Sequence, residues 1–367
     1  MMLKVLFLIS HGFFTASIYS IQMSLVSLGF WRALEKLYIA SMADSPVEIS
    51  AEVSLRKLLR RQGYQLILNH SVLKPCSWFR EAIMRGRTCY KHKFFGIPSW
   101  RCIQMSPSIY CNFQCIHCWR TNASDLPPEM RWKEIPDESY RWDDPEEIAD
   151  ESIRVQKMIV QGYKGVKVFS RKMLEEAEDP KHAAISLTGE PTLYPHIGGL
   201  VEAYKRRGIT TFIVTNGSRP DIINKLSTEP TQLYITVNSP NKESFNKISR
   251  PLVQDAWEKV LETLSLIKSL SSPVVMRITA IKGVNMHLAE EFAKLIEKFE
   301  PTYVEPKGYS YVGYSRRRMS KENSPSHEEV RSFAEEIASL TSYKIIDEQR
   351  ASKVVLLSRL DKPIRFY

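Results

Sequence analysis

Cysteine is absent from most of this chain. The 367 residues contain six cysteines, and all six lie between Cys76 and Cys118. Small secreted domains held together by disulfides spread their cysteines over the whole fold, so this distribution argues against that class. Six cysteines gathered in one short stretch favour a metal or iron–sulfur site instead.

A long, purely apolar segment is also missing. Residues 5–31 carry no charged side chain apart from His11 and are long enough to cross a bilayer, but Ser, Thr and Gln interrupt them seven times. A signal peptide is disfavoured because export would expose thiolate-bound iron to an oxidising compartment. We predict a cytoplasmic protein with no membrane segment. Residues 1–41 are predicted to be a dispensable or misassigned N-terminal extension, with Met42 as an alternative start.

Acidic side chains are outnumbered by basic ones. The chain has 51 Lys and Arg against 41 Asp and Glu, a net charge of +10. Hydrophobic residues make up 43% and charged residues 25%, the balance of an ordinary globular protein with a substantial core. A basic surface favours a polyanion such as RNA as a partner, although a solvated basic surface explains the charge equally well.

Strands and helices alternate along most of the chain. Apolar runs predict strands at residues 103–109, 183–187, 211–214, 233–237, 274–281 and from 303, most of them followed by a helix. This alternation is typical of right-handed βαβ units and a parallel sheet, here with about six units. The predicted domains are residues 42–102, an N-terminal helix and cysteine segment; 103–320, the α/β domain with an insertion at 123–180; and 321–367, a C-terminal helix and strand.

Three of the cysteines form a tight loop after the first strand of this domain. Cys111, Cys115 and Cys118 are spaced to bind three corners of one 4Fe–4S cube, which leaves the fourth iron open. A structural zinc site is the alternative, but zinc usually takes four ligands in paired C-x2-C units. The C-x3-C-x2-C spacing resembles the signature of the radical S-adenosylmethionine superfamily. That resemblance implies a partial (β/α)6 TIM-like barrel whose cluster reduces S-adenosylmethionine to a radical.

Several polar residues at predicted strand ends are candidates for binding S-adenosylmethionine. Gly189 and Glu190 resemble the glycine–glutamate motif of that superfamily, which contacts the methionine amine. Thr215, Asn216 and Asn238 also lie at strand ends, where active sites of parallel barrels form, and could bond the ribose hydroxyls. A plain turn is the alternative for Gly189 and Glu190, although their strand-end position favours function. An ordinary turn explains the other three positions equally well.

The other three cysteines are spread more widely. Twelve residues separate Cys76 from Cys89, and another twelve separate Cys89 from Cys102. This spacing suits three segments that converge on a second cube with its own open iron, and six cysteines divide naturally into two sets of three. A structural site, or three buried cysteines, is the alternative.

Five short stretches carry a more specific resemblance. Residues 87–91, 101–105, 118–120, 307–309 and 313–316 are similar to the archaeal tRNA 4-demethylwyosine synthase family, and the similarity covers roughly residues 54–360. It implies a radical carbon–carbon lyase with two 4Fe–4S clusters. The implied reaction condenses pyruvate with N1-methylguanosine-37 of phenylalanine tRNA to form 4-demethylwyosine, after a 5′-deoxyadenosyl radical removes hydrogen from the N1-methyl group.

The same resemblance assigns the second set of cysteines to an auxiliary cluster that binds pyruvate. It also places a lysine that forms a Schiff base with pyruvate at Lys91, and an amine among other cations can attack a ketone. The alternative is a solvated or RNA-facing lysine. Arg277, inside the fifth strand, is expected to face the barrel interior and bind a carboxylate.

RNA must present one flipped base to such a site, which requires stacking and phosphate contacts. Arg316, Arg317 and Arg318 follow the last strand on the active-site side and are predicted to bind phosphates. An external ferredoxin- or flavodoxin-type electron donor is expected, because residues 1–75 contain no glycine-rich phosphate loop after a strand. We expect a monomer. Two other functions remain open: another radical enzyme with an auxiliary cluster, or a zinc-stabilised RNA-binding protein. The candidate stacking residues are Trp119, Trp132, Tyr309, Tyr311 and Tyr314.

Overall fold

The structure, a computed structural model, describes residues 46–128, 131–132, 136–137 and 139–367. The predicted extension at residues 1–41 lies outside these residues. The chain divides into two units after Glu52, and the second unit, Val53–Tyr367, contains the whole sheet. Of the first unit, only the start of one helix is described. No helix within the described ranges is both long and apolar enough to cross a membrane.

Ten strands and eleven α-helices make up the described fold. The strands are β1 Gln65–Ile67, β2 Ser71–Leu73, β3 Cys102–Ser106, β4 His182–Ile185, β5 Thr210–Thr215, β6 Gln232–Thr236, β7 Val274–Ala280, β8 Tyr303–Gly308, β9 Lys344–Gln349 and β10 Val354–Ser358. The helices are α1 Pro46–Arg61, α2 Ser77–Arg85, α3 Tyr90–Phe95, α4 Pro145–Gln161, α5 Arg171–Ala177, α6 Ile197–Arg206, α7 Pro220–Asn224, α8 Lys242–Ser249, α9 Ala256–Ser265, α10 Ala289–Phe299 and α11 His327–Ser339.

The six central strands, β3 to β8, are parallel neighbours in chain order, which confirms the predicted α/β fold. An antiparallel hairpin, β1–β2, extends the sheet beyond β3, and the antiparallel pair β10–β9 extends it beyond β8. The sequence predicts neither β1 nor β2, because three residues are too few to show an alternating pattern.

The segment predicted as an insertion, residues 123–180, contains α4 and α5. Asp144 caps α4 by accepting from the backbone N–H groups of Glu146 and Glu147, and Pro145 occupies the first turn. Ile148 and Val155 of α4 are buried in the main core, against the outer face of the sheet. The second half of the segment therefore supplies the crossover helix between β3 and β4.

The two faces of the curved sheet carry different side chains. Apolar residues on the outer face, such as Ile213 and Ile235, pack under the helices in the main core. On the inner face, Phe212 and Tyr234 pack against the aromatic residues of α3 in a separate cluster. Val275 and Tyr303, at the beginning of β7 and β8, belong to the same cluster, so α3 closes the amino-terminal end of the partial barrel. A reaction site can therefore form only at the carboxyl end of the barrel or in the interior between the two ends.

Candidate active site

The first set of cysteines lies in the cluster loop, which we define as residues 107–120, directly after β3. Cys111, Cys115 and Cys118 are free thiols, and all are partly buried. Burial raises the pKa of Cys111 and raises that of Cys115 to about 12, and the charges of the neighbouring thiols in the loop add to both shifts. The Cys118 N–H donates to the Cys115 carbonyl at 3.2 Å, so the second and third cysteines lie on one tight turn.

Strand ends hold the cluster loop through hydrogen bonds. The side-chain amide of Asn216, after β5, donates to Asn112 Oδ1 at 2.9 Å. That of Asn238, after β6, donates to His117 Nε2 at 3.2 Å. Two of the predicted cofactor-binding residues therefore orient the loop. Their partners, Asn112 and His117, also belong to this region, although nothing in the sequence except their proximity to the cysteines indicated it.

The turn after β4 packs closely against the cluster loop. The backbone N–H of Glu190 donates to the Tyr110 carbonyl at 2.7 Å. Gly189 has a φ of +63°, and a Cβ there would overlap the Ser108 carbonyl oxygen and lie 2.6 Å from that of Tyr110. Only glycine fits this position, both for its backbone conformation and for the space available.

Glu190 joins the ends of β4 and β5 through its buried carboxylate. Oε1 accepts from Thr215 Oγ1 at 2.6 Å and from the Thr192 hydroxyl at 2.7 Å, and Oε2 accepts from the Asn216 N–H at 2.8 Å. Burial raises the pKa of this carboxyl, and the hydrogen bonds partly oppose that rise. All the residues predicted to bind S-adenosylmethionine thus lie in the connected strand-end region around the cluster loop.

The second set of cysteines comes together from three elements. Cys76 and Cys89 are the N-cap residues of α2 and α3, and Cys102 is the first residue of β3. The Cys76 sulfur accepts from the Phe79 N–H at 3.3 Å. Burial and the neighbouring Cys89 raise the pKa of Cys76 to about 11, and burial with Cys76 raises the pKa of Cys102. The charge of Lys91 partly opposes the rise at Cys102, so this set also interacts with the interior lysine.

The donor chemistry of each set fits an iron–sulfur cube. Thiolate is the ligand that such clusters use, and all six thiols are free. Among the described residues, no three Cys, His, Asp or Glu side chains converge as the ligands of a single metal ion do. A cube takes one thiolate at each of three separate corners, so its ligands have no need to converge on one point.

Strand β3 connects the two sets. Cys102 begins the strand and the cluster loop follows its last residue, Ser106, so the sets lie toward opposite ends of β3. Five residues of extended chain span roughly 13 Å between the first and last Cα atoms. The barrel interior lies between the two cysteine sets.

Lys91 reaches into that interior from α3. Its Nζ atom lies 4.3 Å from the ring centre of Tyr234 and 4.8 Å from that of Phe212, two inward-facing residues. Burial, followed by the charge of Arg277, lowers the pKa of Lys91 to about 8. The side chain is therefore an inward-facing amine and not a solvated surface lysine.

Arg277 faces the interior as expected, but it already binds a carboxylate of the protein. Its Nε donates to Glu305 at 2.8 Å and its Nη2 donates to the Tyr90 hydroxyl at 2.5 Å. Lys307, two residues after Glu305 on β8, also faces inward and donates to the Ser352 carbonyl at 2.8 Å. Burial lowers the pKa of Lys307 to about 8. Glu305 and Lys307 are two positions apart on one strand, and this spacing is the sequence signal that could have predicted that both face the interior.

The three consecutive arginines do not share one environment. Arg316 and Arg317 are exposed and lie over the rings of Tyr311 and Tyr314, at 5.4 Å and 4.7 Å from the ring centres. Arg318 is only 9% exposed and forms an ion pair with the buried carboxylate of Asp125. The RNA-contact role predicted for Arg318 is therefore wrong, because its guanidinium is enclosed by the protein.

Two of the candidate stacking residues are also part of the scaffold. Tyr309 is buried and donates to Ser315 at 2.8 Å. Trp132 packs against Tyr110 and donates to the Cys111 carbonyl at 3.2 Å. Both support the cluster loop region. Of the other three candidates, Tyr311 and Tyr314 lie beside the exposed arginines, and Trp119 lies under Arg120, whose guanidinium carbon is 4.8 Å from the ring centre.

Two family models match the chain. Residues 105–296 match the radical SAM superfamily, and residues 298–359 match the family described as wyosine base formation. The first match contains the cluster loop and β4 to β7, and the second contains β8 to β10 and the three arginines.

Curated and solved relatives agree with these matches. The S-adenosyl-L-methionine-dependent tRNA 4-demethylwyosine synthase of Pyrococcus abyssi is 43% identical over 331 residues, which cover 89% of this chain and 93% of that protein. A structure of TYW1 with a lysine–pyruvate adduct bound is 36% identical, with a TM-score of 0.73 over 83% of this chain and 95% of that one. A crystal structure of archaeal TYW1 is 33% identical, with a TM-score of 0.68 over 85% and 98%.

Proposed function

The chain belongs to the family of S-adenosyl-L-methionine-dependent tRNA 4-demethylwyosine synthases, and on that basis we propose how its residues perform the reaction. The substrates are a tRNA that carries N1-methylguanosine at position 37, taken to be phenylalanine tRNA, and pyruvate. The product is 4-demethylwyosine. The observation that carries this assignment is the placement of Lys91 in the barrel interior, while the two cysteine sets lie toward opposite ends of β3.

Cys111, Cys115 and Cys118 would hold the cluster next to S-adenosylmethionine. Bound there, a 4Fe–4S cluster supplies an electron and an open iron for cleavage of the cofactor. Gly189 and Glu190 would face the methionine amine. Thr215, Asn216 and Asn238 would meet the ribose. An Asn side chain has two N–H donors, so an amide that gives one to the cluster loop keeps one for a ribose oxygen.

Cys76, Cys89 and Cys102 would hold a second 4Fe–4S cluster at the other end of β3. The N-terminus of α2 meets Cys76 with a backbone N–H group, and such donors favour negative charge. Lys91, two residues after Cys89, would attack the ketone carbon of pyruvate and release water to form a Schiff base. The relative whose structure contains a lysine–pyruvate adduct supports this role. The aromatic faces of Tyr234 and Phe212 would keep bulk water from the adduct.

The tRNA would approach the carboxyl end of the barrel. Arg316 and Arg317 are exposed there, beside Tyr311 and Tyr314. Cations and aromatic rings on one surface suit phosphates and an unstacked base. We also expect the chain to act as a cytoplasmic monomer and to take electrons from a separate ferredoxin- or flavodoxin-type protein.

An anaerobic assay tests the function directly. The reconstituted chain, a chemical reductant, S-adenosylmethionine, pyruvate and tRNA with N1-methylguanosine should yield 4-demethylwyosine, detected by mass spectrometry of the digested RNA. The same tRNA without the N1-methyl group is the control and should give none. Iron analysis should find about eight irons per chain, four for each cube. Cofactor cleavage without the tRNA product would indicate another radical enzyme, and a colourless zinc protein would indicate an RNA-binding module.

A further inference from the structure

Arg318 is an enclosed cation beside the cluster loop. Its side chain is 9% exposed and that of its ionic partner, Asp125, is 4% exposed. An arginine buried to this extent needs partners for most of its five N–H donors. Those partners identify what the residue does.

The guanidinium spans two carbonyls of the cluster loop. Nε donates to the Ile116 carbonyl at 3.1 Å, and Nη2 donates to the Cys118 carbonyl. These carbonyls flank the peptide that leads into the third cysteine. A planar fork of donors fixes both at once, so it sets the orientation of the Cys118 backbone.

The remaining guanidinium nitrogen, Nη1, is bound to a short turn. Nη1 pairs with Asp125, whose other oxygen accepts from the Asn122 N–H at 2.9 Å in a capping box. The turn that follows the cluster loop therefore anchors Arg318 from the opposite side. The charge of the guanidinium is neutralised locally and is not free to meet a phosphate.

A second contact from the same segment supports the same part of the loop. The Tyr314 N–H donates to the Trp119 carbonyl at 2.9 Å. Gly313 has a φ of +58°, and a Cβ there would overlap the same carbonyl oxygen. Residues 313–318 thus hold the loop through the carbonyls of Ile116, Cys118 and Trp119.

We propose that Arg318 is a positioning residue that holds the cluster loop in the conformation required for cluster binding and cofactor cleavage. This proposal rests on the proposed function in assigning the loop to the cluster. Because Arg318 lies in the segment matched to wyosine base formation, it makes the radical chemistry of the first segment depend on the second. The exposed neighbours, Arg316 and Arg317, remain free to contact RNA.

Hydrogen exchange of the cluster-free protein tests the positioning role without any cofactor. The reporters are the amides of Gln114, Ile116 and Cys118, which are all hydrogen-bonded. Arg318→Met should make them exchange about tenfold faster or more, because two charge-assisted bonds to the loop are lost. Arg207→Met is the matched control, because it removes a partly buried ion pair with Glu146 that lies outside the cluster loop. It should leave the exchange of the reporter amides unchanged. Unchanged exchange in Arg318→Met, or an equal rise throughout the protein, would overturn the proposal.

The reconstituted protein provides a second test. Arg318→Lys keeps the charge but not the planar fork, and Asp125→Asn removes the anchor. Both should lower 5′-deoxyadenosine formation at least about tenfold and weaken the change that S-adenosylmethionine causes in the electron paramagnetic resonance spectrum of the reduced cluster. Normal cleavage with weakened tRNA binding would make Arg318 an RNA contact and overturn the proposal. If the unsubstituted chain binds no iron, the proposed function fails instead, whereas the exchange result stands independently.

Discussion

Asn238 and His117 form a hydrogen bond of 3.2 Å that joins the end of β6 to the middle of the cluster loop. The Thr279 N–H donates to Asn238 Oδ1 at 2.9 Å, so the amide nitrogen of Asn238 must be the donor to His117 Nε2. Burial lowers the pKa of His117 to about 4, which keeps the ring neutral and able to accept near neutral pH. The hydrogen on the ring therefore sits on Nδ1.

Asn238→Ala should weaken binding of S-adenosylmethionine about fivefold, because the loop loses one hydrogen bond that orients it. Titration calorimetry of the reconstituted protein under anaerobic conditions measures this. Asn224→Ala, at an exposed position at the end of α7, is the control. Equal affinities for Asn238→Ala and the control would show that this bond plays no part.

Cys118→Ala should abolish formation of 5′-deoxyadenosine, because two thiolates do not hold the cube that reduces the cofactor. Liquid chromatography of the anaerobic reaction measures the product. Cleavage at the normal rate in this variant would remove Cys118 from the cluster.

Cys89→Ala should separate the two cysteine sets. Some cofactor cleavage should remain, since the cluster loop is intact, but 4-demethylwyosine should be lost because the second site no longer holds pyruvate. Iron should fall from about eight to about four per chain. Formation of the modified base at the normal rate would exclude the second set from the mechanism.

How much of this site can be predicted from the sequence depends on how far apart its residues lie along the chain. The cluster loop is predictable because all three cysteines lie within eight residues. The six parallel strands are predictable because their apolar runs end in polar turns. Arg318 is not, because its loop partners lie 202 and 200 residues earlier in the chain. A run of arginines predicts a basic surface, and only tertiary packing shows that one member is enclosed.

Arg277 illustrates a second limit. Its place inside β7 correctly predicts that it faces the barrel interior, but the register with β8 puts Glu305 directly beside it. That pairing depends on which strands are neighbours and how they align. A pattern along one strand carries no information about the side chain across the ladder.

Lys91 should be trapped by pyruvate and borohydride as a reduced adduct that peptide mapping assigns to residue 91. The pKa of about 8 sets the pH dependence: the reactive neutral amine gains population as pH rises through 8, so trapping should be faster at pH 9 than at pH 7. Lys307 is the internal control, since burial lowers its pKa to about 8 as well. Adduct on Lys307 in preference to Lys91 would reverse the assignment.

Gly189→Ala should lower the free energy of unfolding by more than the cost of placing a side chain at a positive φ. A Cβ at Gly189 would meet two backbone carbonyls of the cluster loop, which cannot move aside as a side chain can. Gly208→Ala isolates the conformational cost, because Gly208 has a φ of +67° with no atom within 4 Å of a Cβ. We expect a loss of about 1–2 kcal/mol at Gly208 and more than about 3 kcal/mol at Gly189. Denaturant unfolding measures both, and equal losses would show that the close approach costs nothing.

Arg316→Met and Arg317→Met should each weaken tRNA binding and make it less sensitive to salt. An exposed arginine that neutralises one phosphate releases one condensed counterion, so each substitution should reduce the slope of log Kd against log salt concentration by about 1. Arg331→Met is the matched control, because Arg331 is also exposed but pairs with Glu335 and Glu348. Filter binding at several salt concentrations gives the slopes. If the two substitutions and the control leave the same slope as the unsubstituted chain, the RNA must bind to another face, and the exposed pair has no share in recognising its phosphates.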